Sequence, residues 1–327
     1  MDAKTWNDTY GESSGMSRKE SPCTTDDEPE VGRSDSGETW AACDDGSGLY
    51  SVSSSGEFAL SSDSQGMVFS TVRTDSEGRL LIGGTDSDGN LVTGTVDIDS
   101  PVADLNVVLL IGNDFGAPRG TAASDDTQIL ISENGQTLAV EGLLGWSEEE
   151  SWTAEADAWL NALVQTEEGL SGIGGDGEGN ATVFVQDDTE ELSFEAMTWS
   201  EAQAELMDTA DSAGGLWVVG ADAEGEAMAS LCPAACTVPE NWQPQEVDMP
   251  GGMVVSSLSF DSSGLFGVMT GSDSASASGM VLLSSDAGVS WEEVDADFPP
   301  LSDASVDETG DFVVSGQSGF VASGSIQ

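Results

Sequence analysis

The sequence predicts an all-β protein, a seven-bladed β-propeller of four-stranded antiparallel blades, with six or eight blades as alternatives. Three observations predict it. Glycine is abundant, with 40 residues, and aromatic content is only 6%, which suits many short strands joined by turns. Residues 253–294 spell one complete strand–turn unit. The same order recurs at roughly 40–50 residues in the second half of the chain, a period expected of propeller repeats.

Within that unit, Val254–Phe260 alternates apolar and polar residues as a half-buried strand does. Asp261-Ser-Ser-Gly264 supplies turn residues, and 265–271 is a second strand. After a Ser/Ala loop, 280–284 is a third strand and 291–294 a fourth. The pattern returns at Asp307-Glu-Thr-Gly310 with 312–315 and 320–323, at 216–220 with 227–231, and at 170–174 with 181–185. Third strands are expected to begin near Phe58, Leu91, Gln128, Ala181, Ala227, Gly279 and Phe320. Pro250 and Pro299-Pro300 fall between units, where no ladder continues. A short helix is an alternative only at 147–162, where acids and alanines surround Trp152 and Trp159.

The loop before the fourth strand reads Ser284-Ser-Asp286-Ala-Gly288-Val-Ser-Trp291. Asp286 is suited to accept the turn's backbone N–H groups, Ser284 to add a second local bond, and Gly288 to take a positive φ. Trp291 then offers a large apolar face. This S-x-D-x-G-x-x-W turn resembles the Asp-box of bacterial neuraminidase-like (BNR) repeat proteins. Asp35-Ser-Gly37-Glu-Thr-Trp40 keeps three of the positions, with Arg33 in the Ser position. Fainter copies lie at 133–138, 187–192 and 61–66, and a further one before Trp242 is replaced by Cys232-Pro-Ala-Ala-Cys236. The chain is similar to Asp-box propellers of the photosystem II stability/assembly factor-like type, weakly over 30–327 and well over 250–327. The resemblance implies a ring whose members often serve as binding scaffolds. The basic face through which those assembly factors bind partners is missing here, so that role is not carried over.

Residues 1–327 are expected to form one domain. The last unit stops after three strands, so an N-terminal strand should complete it, either Ala3-Lys-Thr-Trp6 or Glu38-Thr-Trp40. Residues 11–30 are polar and Gly/Ser-rich, and read as a flexible or disulfide-tethered loop.

The charge balance is extreme: 61 acidic against 7 basic residues, 7 − 61 = −54, with no histidine. Nucleic acid is excluded as a natural partner, since phosphate binding needs a cationic surface. The acids are spread along the chain, as in proteins adapted to high salt; a surface attracting Ca²⁺ or a basic partner is the rival reading. The longest apolar stretch, near 105–112, is too short to span a bilayer. Met1-Asp-Ala-Lys-Thr-Trp6 lacks the features of a secretory signal, so either the protein is not exported or a leader has been removed. Four cysteines allow three pairings. Cys23–Cys43 and Cys232–Cys236 are close in sequence, and two such disulfides imply an extracellular, periplasmic or cell-surface location.

Without histidine, the commonest general base and Ser–His or Cys–His pairs are absent. Glycoside hydrolysis needs only two carboxyl groups, but nothing selects a pair, and no catalytic or cofactor-binding residue is assigned. Asp86-Ser-Asp88-Gly89-Asn90 resembles the start of a calcium loop. The acidic residue expected at its end is missing, and similar turns at Asp75, Asp261 and Asp307 favour a plain hairpin. The expected function is a non-catalytic scaffold binding a protein or glycan ligand. A carbohydrate-active enzyme and a surface-layer or filament component are the alternatives.

Overall fold

The structure is a computed structural model, and it describes residues 3–11, 14–23, 28–34, 36–43, 48–52, 57–61, 64, 66–74, 80–97, 104–110, 118–124, 127–132, 136–141, 148–153, 159–166, 169–176, 178–186, 193–199, 204–273, 275 and 277–326. Among these residues the strands pair into seven four-stranded antiparallel sheets. Blade I holds Glu30–Arg33, Thr39–Cys43, Gly48–Val52 and Phe58–Leu60. Blade II holds Met67–Thr74, Leu80–Asp86, Leu91–Asp97 and Asp104–Leu110. Blade III holds Pro118–Ser124, Thr127–Ser132, Gln136–Glu141 and Glu148–Thr153. Blade IV holds Trp159–Thr166, Gly169–Gly175, Ala181–Gln186 and Phe194–Thr198. Blade V holds Glu205–Ser212, Gly215–Ala221, Ala227–Cys232 and Gln243–Gln245. Blade VI holds Val254–Phe260, Gly267–Asp273, Ser278–Ser284 and Glu292–Glu293. Blade VII holds Leu301–Val306, Asp311–Gly316 and Phe320–Ser325, completed by Ser17–Lys19.

The first strand of each blade touches the first strand of the next, and that of blade VII touches that of blade I. The sheets therefore stand radially around a channel, as a β-propeller. The core lies between blades, and strand alternation assigns each residue to one side. Val218 faces blade IV, whereas Trp217 and Val219 face blade VI. In the same way Val313 packs towards blade I, and Phe312 and Val314 towards blade VI. This explains why Gly215–Ala221 is buried along almost its whole length.

The first strand carries a register shift in six blades, II to VII. Opposite it, in five of those blades, the second strand presents a glycine: Gly84, Gly174, Gly220, Gly271 and Gly316. A Cβ on Gly220 would lie 1.9 Å from the Glu205 carbonyl oxygen. Gly220→Ala should therefore destabilise the fold by about 1–3 kcal/mol through overpacking against backbone, read from a urea unfolding midpoint. Gly225→Ala, with nothing within 4 Å, separates strain at a positive φ from this clash.

Ring closure by an N-terminal strand holds, but the strand is Ser17–Lys19, paired with Phe320–Ser325. It lies inside the stretch expected to be a loop. Ala3–Trp6 is one helical turn, and Glu38-Thr-Trp40 leads into the second strand of blade I. Asn7 explains how so polar a segment is held: its amide donates to the Arg18 carbonyl at 2.9 Å and accepts the Arg18 N–H at 2.6 Å, as a further strand would. Phe58 opens a fourth strand and Gln128 falls in a second, one step away from the third-strand phase expected of them. The suggested helix at 147–162 is instead strand at Glu148–Thr153 and from Trp159 onward.

Candidate functional site

The register shift turns the residue after it into the channel, and the inner strands of blades I, II, V and VII, four in all, place charge there. Asp208 of blade V and Asp303 of blade VII occupy the same position after the shift. Arg73, near the end of blade II's first strand, reaches across to both: Nη2 lies 3.3 Å from Asp208 Oδ1 and Nη1 3.2 Å from Asp303 Oδ1. The carboxylate side chains are 3% and 2% exposed, so water does not solvate them. Backbone and hydroxyl donors do: Leu258 N–H and Ser257 Oγ–H each reach Asp208 Oδ2 at 2.9 Å, and Val31 N–H reaches Asp303 Oδ2 at 2.8 Å. Glu30, at the start of blade I, completes the group.

Burial opposes the charge on Arg73, but Asp208, Asp303 and Glu30 more than offset it and hold the guanidinium above its ordinary value. Burial pushes Asp303 up, against the pull of Arg73. Burial, and then the Asp303 charge, push Glu30 well above the usual carboxylate range.

Beyond this cluster the channel widens, where the inner strands end, into a cavity of about 640 Å³. Its walls include Arg73, Thr74, Gln165, Asp211, Ser259 and Ser305. The lining mixes these polar groups with apolar side chains such as Leu163, Val164, Leu216 and Phe260, a surface that offers donors, acceptors and apolar contact. Cys232 and Cys236 also border it.

The structure places the other sequence-predicted residues outside this charged cluster. Asp86, Asp88 and Asn90 form one turn: Asp86 Oδ1 accepts Asp88 N–H at 2.9 Å and Asn90 N–H at 2.8 Å, and Asn90 Nδ2 donates to Asp86 Oδ2 at 2.8 Å. The Asn90 side-chain bond, then its backbone N–H, holds the Asp86 carboxyl below its ordinary value. Asp176 and Asn180 repeat the arrangement in blade IV. No group of three or more His, Cys, Asp or Glu suited to a metal ion occurs among the described residues.

Ser284 and Asp286 bond as the turn chemistry requires. Asp286 Oδ1 accepts Ser290 N–H at 2.9 Å, Ser284 Oγ accepts Gly288 N–H at 2.9 Å, and Gly288 has φ +84°. Trp291 stands edge-on to Trp217 and Phe260. Asp35 lies outside the described residues; Gly37, with φ +86°, and buried Trp40 follow the first strand of blade I rather than the third. That turn is therefore out of phase with 284–291. Cys232-Pro-Ala-Ala-Cys236 is in phase with it, and there the Cys232–Cys236 disulfide closes the loop. Cys23–Cys43 ties the closing segment to blade I.

Sequence reading missed Glu30, Asp208 and Asp303 and gave Arg73 no role. A signal was present: Leu206-Met-Asp208 and Leu301-Ser-Asp303 share a spacing, and in each the leucine pairs with a glycine near the end of the second strand, Gly220 and Gly316.

No protein-family model matches the chain, and no curated protein matches it. Solved structures do share the fold. A catalytically inactive histidine-to-alanine variant of virginiamycin B lyase from Staphylococcus aureus, with quinupristin, aligns at TM-score 0.67 and 8% identity over 95% of this chain and 99% of that one. YCF48 from Cyanidioschyzon merolae aligns at TM-score 0.66 and 14% identity, over 95% and 99%. YCF48 bound to D1 peptide aligns at 0.65 and 17%, over 96% and 97%. The structural likeness shows a shared β-propeller fold and, at these identities, the fold alone.

Proposed function

We propose that this protein is a non-catalytic propeller scaffold that binds a segment of another protein at its channel cavity, outside the reducing cytoplasm and in high salt. The observation that carries this reading is the cavity of about 640 Å³ at the end of the inner strands, lined by polar and apolar side chains together and within the size range of ligand sites. The peptide complex of the similar propeller YCF48 supports a protein ligand. The lyase likeness gives no support to catalysis here: the inactive lyase variant lacks a histidine, and this chain has none. The two disulfides favour an oxidising location.

A photo-reactive amino acid placed at Ser259, on the cavity wall, should give one discrete protein adduct in a cell-envelope extract of the source organism at high salt; the same probe at Glu195, outside the cavity, should not. A screen of aryl glycosides and polysaccharides is the counter-test. Turnover abolished by a single Asp or Glu substitution would overturn the scaffold reading.

Adaptation to salt has its own expected result. With a net charge of −54, self-repulsion acts over about 30 Å at 0.01 M salt and about 3 Å at 1 M. The thermal unfolding midpoint should rise steeply with NaCl over that range. A midpoint independent of NaCl would refute the adaptation.

A further inference from the structure

Six large apolar side chains are exposed among the described residues, and three of them cap blades V and VI at the end of the ring where the cavity opens. Val238 is 41% exposed, Leu265 46% and Val289 84%. The other three, Leu60, Trp159 and Met207, lie within strands. The turns that carry Leu265 and Val289 are bonded to each other and to the cavity wall. Ala287 N–H donates to the Leu265 carbonyl at 2.9 Å, and Ala213 N–H donates to the Gly264 carbonyl at 3.0 Å. Ala213 and Gly264 themselves border the cavity. One continuous surface therefore runs from the cavity wall over Gly264 and Leu265 to Val289. Its charge has one sign. From Gly120 to Gln327 the chain contains no Lys, Arg or His. Asp286, Glu292 and Glu293 are exposed on the Val289 turn and the strand after it. Arg73, at the cavity, is already bonded to Asp208 and Asp303. A ligand that covers Leu265 and Val289 takes carboxylates out of water, and a carboxylate so covered needs a cation beside it. Blades V and VI supply none, so the ligand must.

We propose that the Leu265–Val289 surface, with the cavity edge beside it, docks an extended segment of another protein in which Lys or Arg stands beside large apolar side chains. This rests on the scaffold reading and adds to it the chemical class of the partner. The apolar side chains of the segment cover Leu265 and Val289, and its cations meet Asp286, Glu292 and Glu293. Exposed apolar residues rimmed by polar ones mark interaction sites, and the complementary charge fixes which segments are accepted.

The test is a phage-displayed dodecapeptide library panned on the intact chain in about 1 M NaCl, where charges are screened beyond about 3 Å. Enriched peptides should carry Lys or Arg beside Leu, Ile or Phe. The double variant Leu265→Ser with Val289→Ser removes apolar area and leaves the charge unchanged. The Kd of the enriched peptides should rise about tenfold in it, as for a modest hot spot. Glu292→Gln with Glu293→Gln should weaken the same peptides without touching the apolar contact. Enrichment of neutral or acidic peptides, or equal affinity for wild type and the Leu265/Val289 variant, would overturn the proposal. Ser259→Trp, which fills the cavity, separates this proposal from the scaffold reading. Peptides lost by S259W but kept by the Leu265/Val289 variant uphold the cavity and refute this surface; peptides lost only by the Leu265/Val289 variant do the reverse. Failure to enrich any peptide counts against both. Thermal midpoints equal to that of the wild type show that each variant is folded.

Discussion

Arg73→Met is expected to lower the unfolding free energy by about 3 kcal/mol, the lower end of the range for breaking a buried ion pair. The lower end applies because the arginine side chain is 30% exposed, while its partners Asp208 and Asp303 are nearly sealed. The cost comes from the carboxyl groups left behind. Methionine fills much of the volume but offers no N–H, so Glu30, Asp208 and Asp303 would repel one another across the channel. Protonation relieves that repulsion, so the difference between variant and wild type should shrink as pH falls. Urea unfolding at pH 7.5 and pH 4.5 checks both statements. A loss that is the same at both values would mean that Arg73 acts by packing alone.

Trp217→Ala is expected to cost about 3–5 kcal/mol, the range for deleting a buried aromatic side chain. Trp217 is 1% exposed and packs between blades V and VI among Met269, Leu258 and Leu282. Its ring centroid lies 6.0 Å from Trp291 and 6.1 Å from Phe260, and its Nε1–H donates to Ser212 Oγ at 3.1 Å. The turn of blade VI rests directly on it: a Cβ on Gly288 would come within 2.4 Å of Trp217 Cζ2. The substitution therefore removes the bed of the Ser284–Trp291 turn as well as a core side chain. Trp217→Phe should lose less, since it keeps an apolar ring and forfeits the indole hydrogen bond. Guanidinium unfolding of both variants, with near-ultraviolet circular dichroism for the Trp217–Trp291 contact, measures the effect.

Blade VI was legible because its signals are local. Val254–Phe260 alternates, Asp261 caps its own turn through the Leu265 and Phe266 N–H groups at 2.8 and 2.7 Å, and Asp286 caps the later turn through the Ser290 N–H at 2.9 Å. Blades I and III were read one strand out of phase. Ser124 and Thr127 bound a link with no Gly or Pro to mark it. Ser17–Lys19 was illegible because a three-residue polar strand has no pattern of its own; it is a strand only because Phe320–Ser325 presents an open edge. The charged cluster was hidden by distance along the chain. Arg73 is separated from Asp208 by 135 positions and from Asp303 by 230.

The amino-acid sequence by itself determined the strands and turns of the second half of the chain, the excess of acid and the pairing of cysteines within short reach, because alternation and turn bonding act over a few residues. The tertiary structure alone decided which strand shuts the ring, and which three of 61 acids gather about Arg73. Both depend on radial sheets carrying remote segments to a common axis, where burial makes a charge that would be inconsequential in water expensive to leave unpaired.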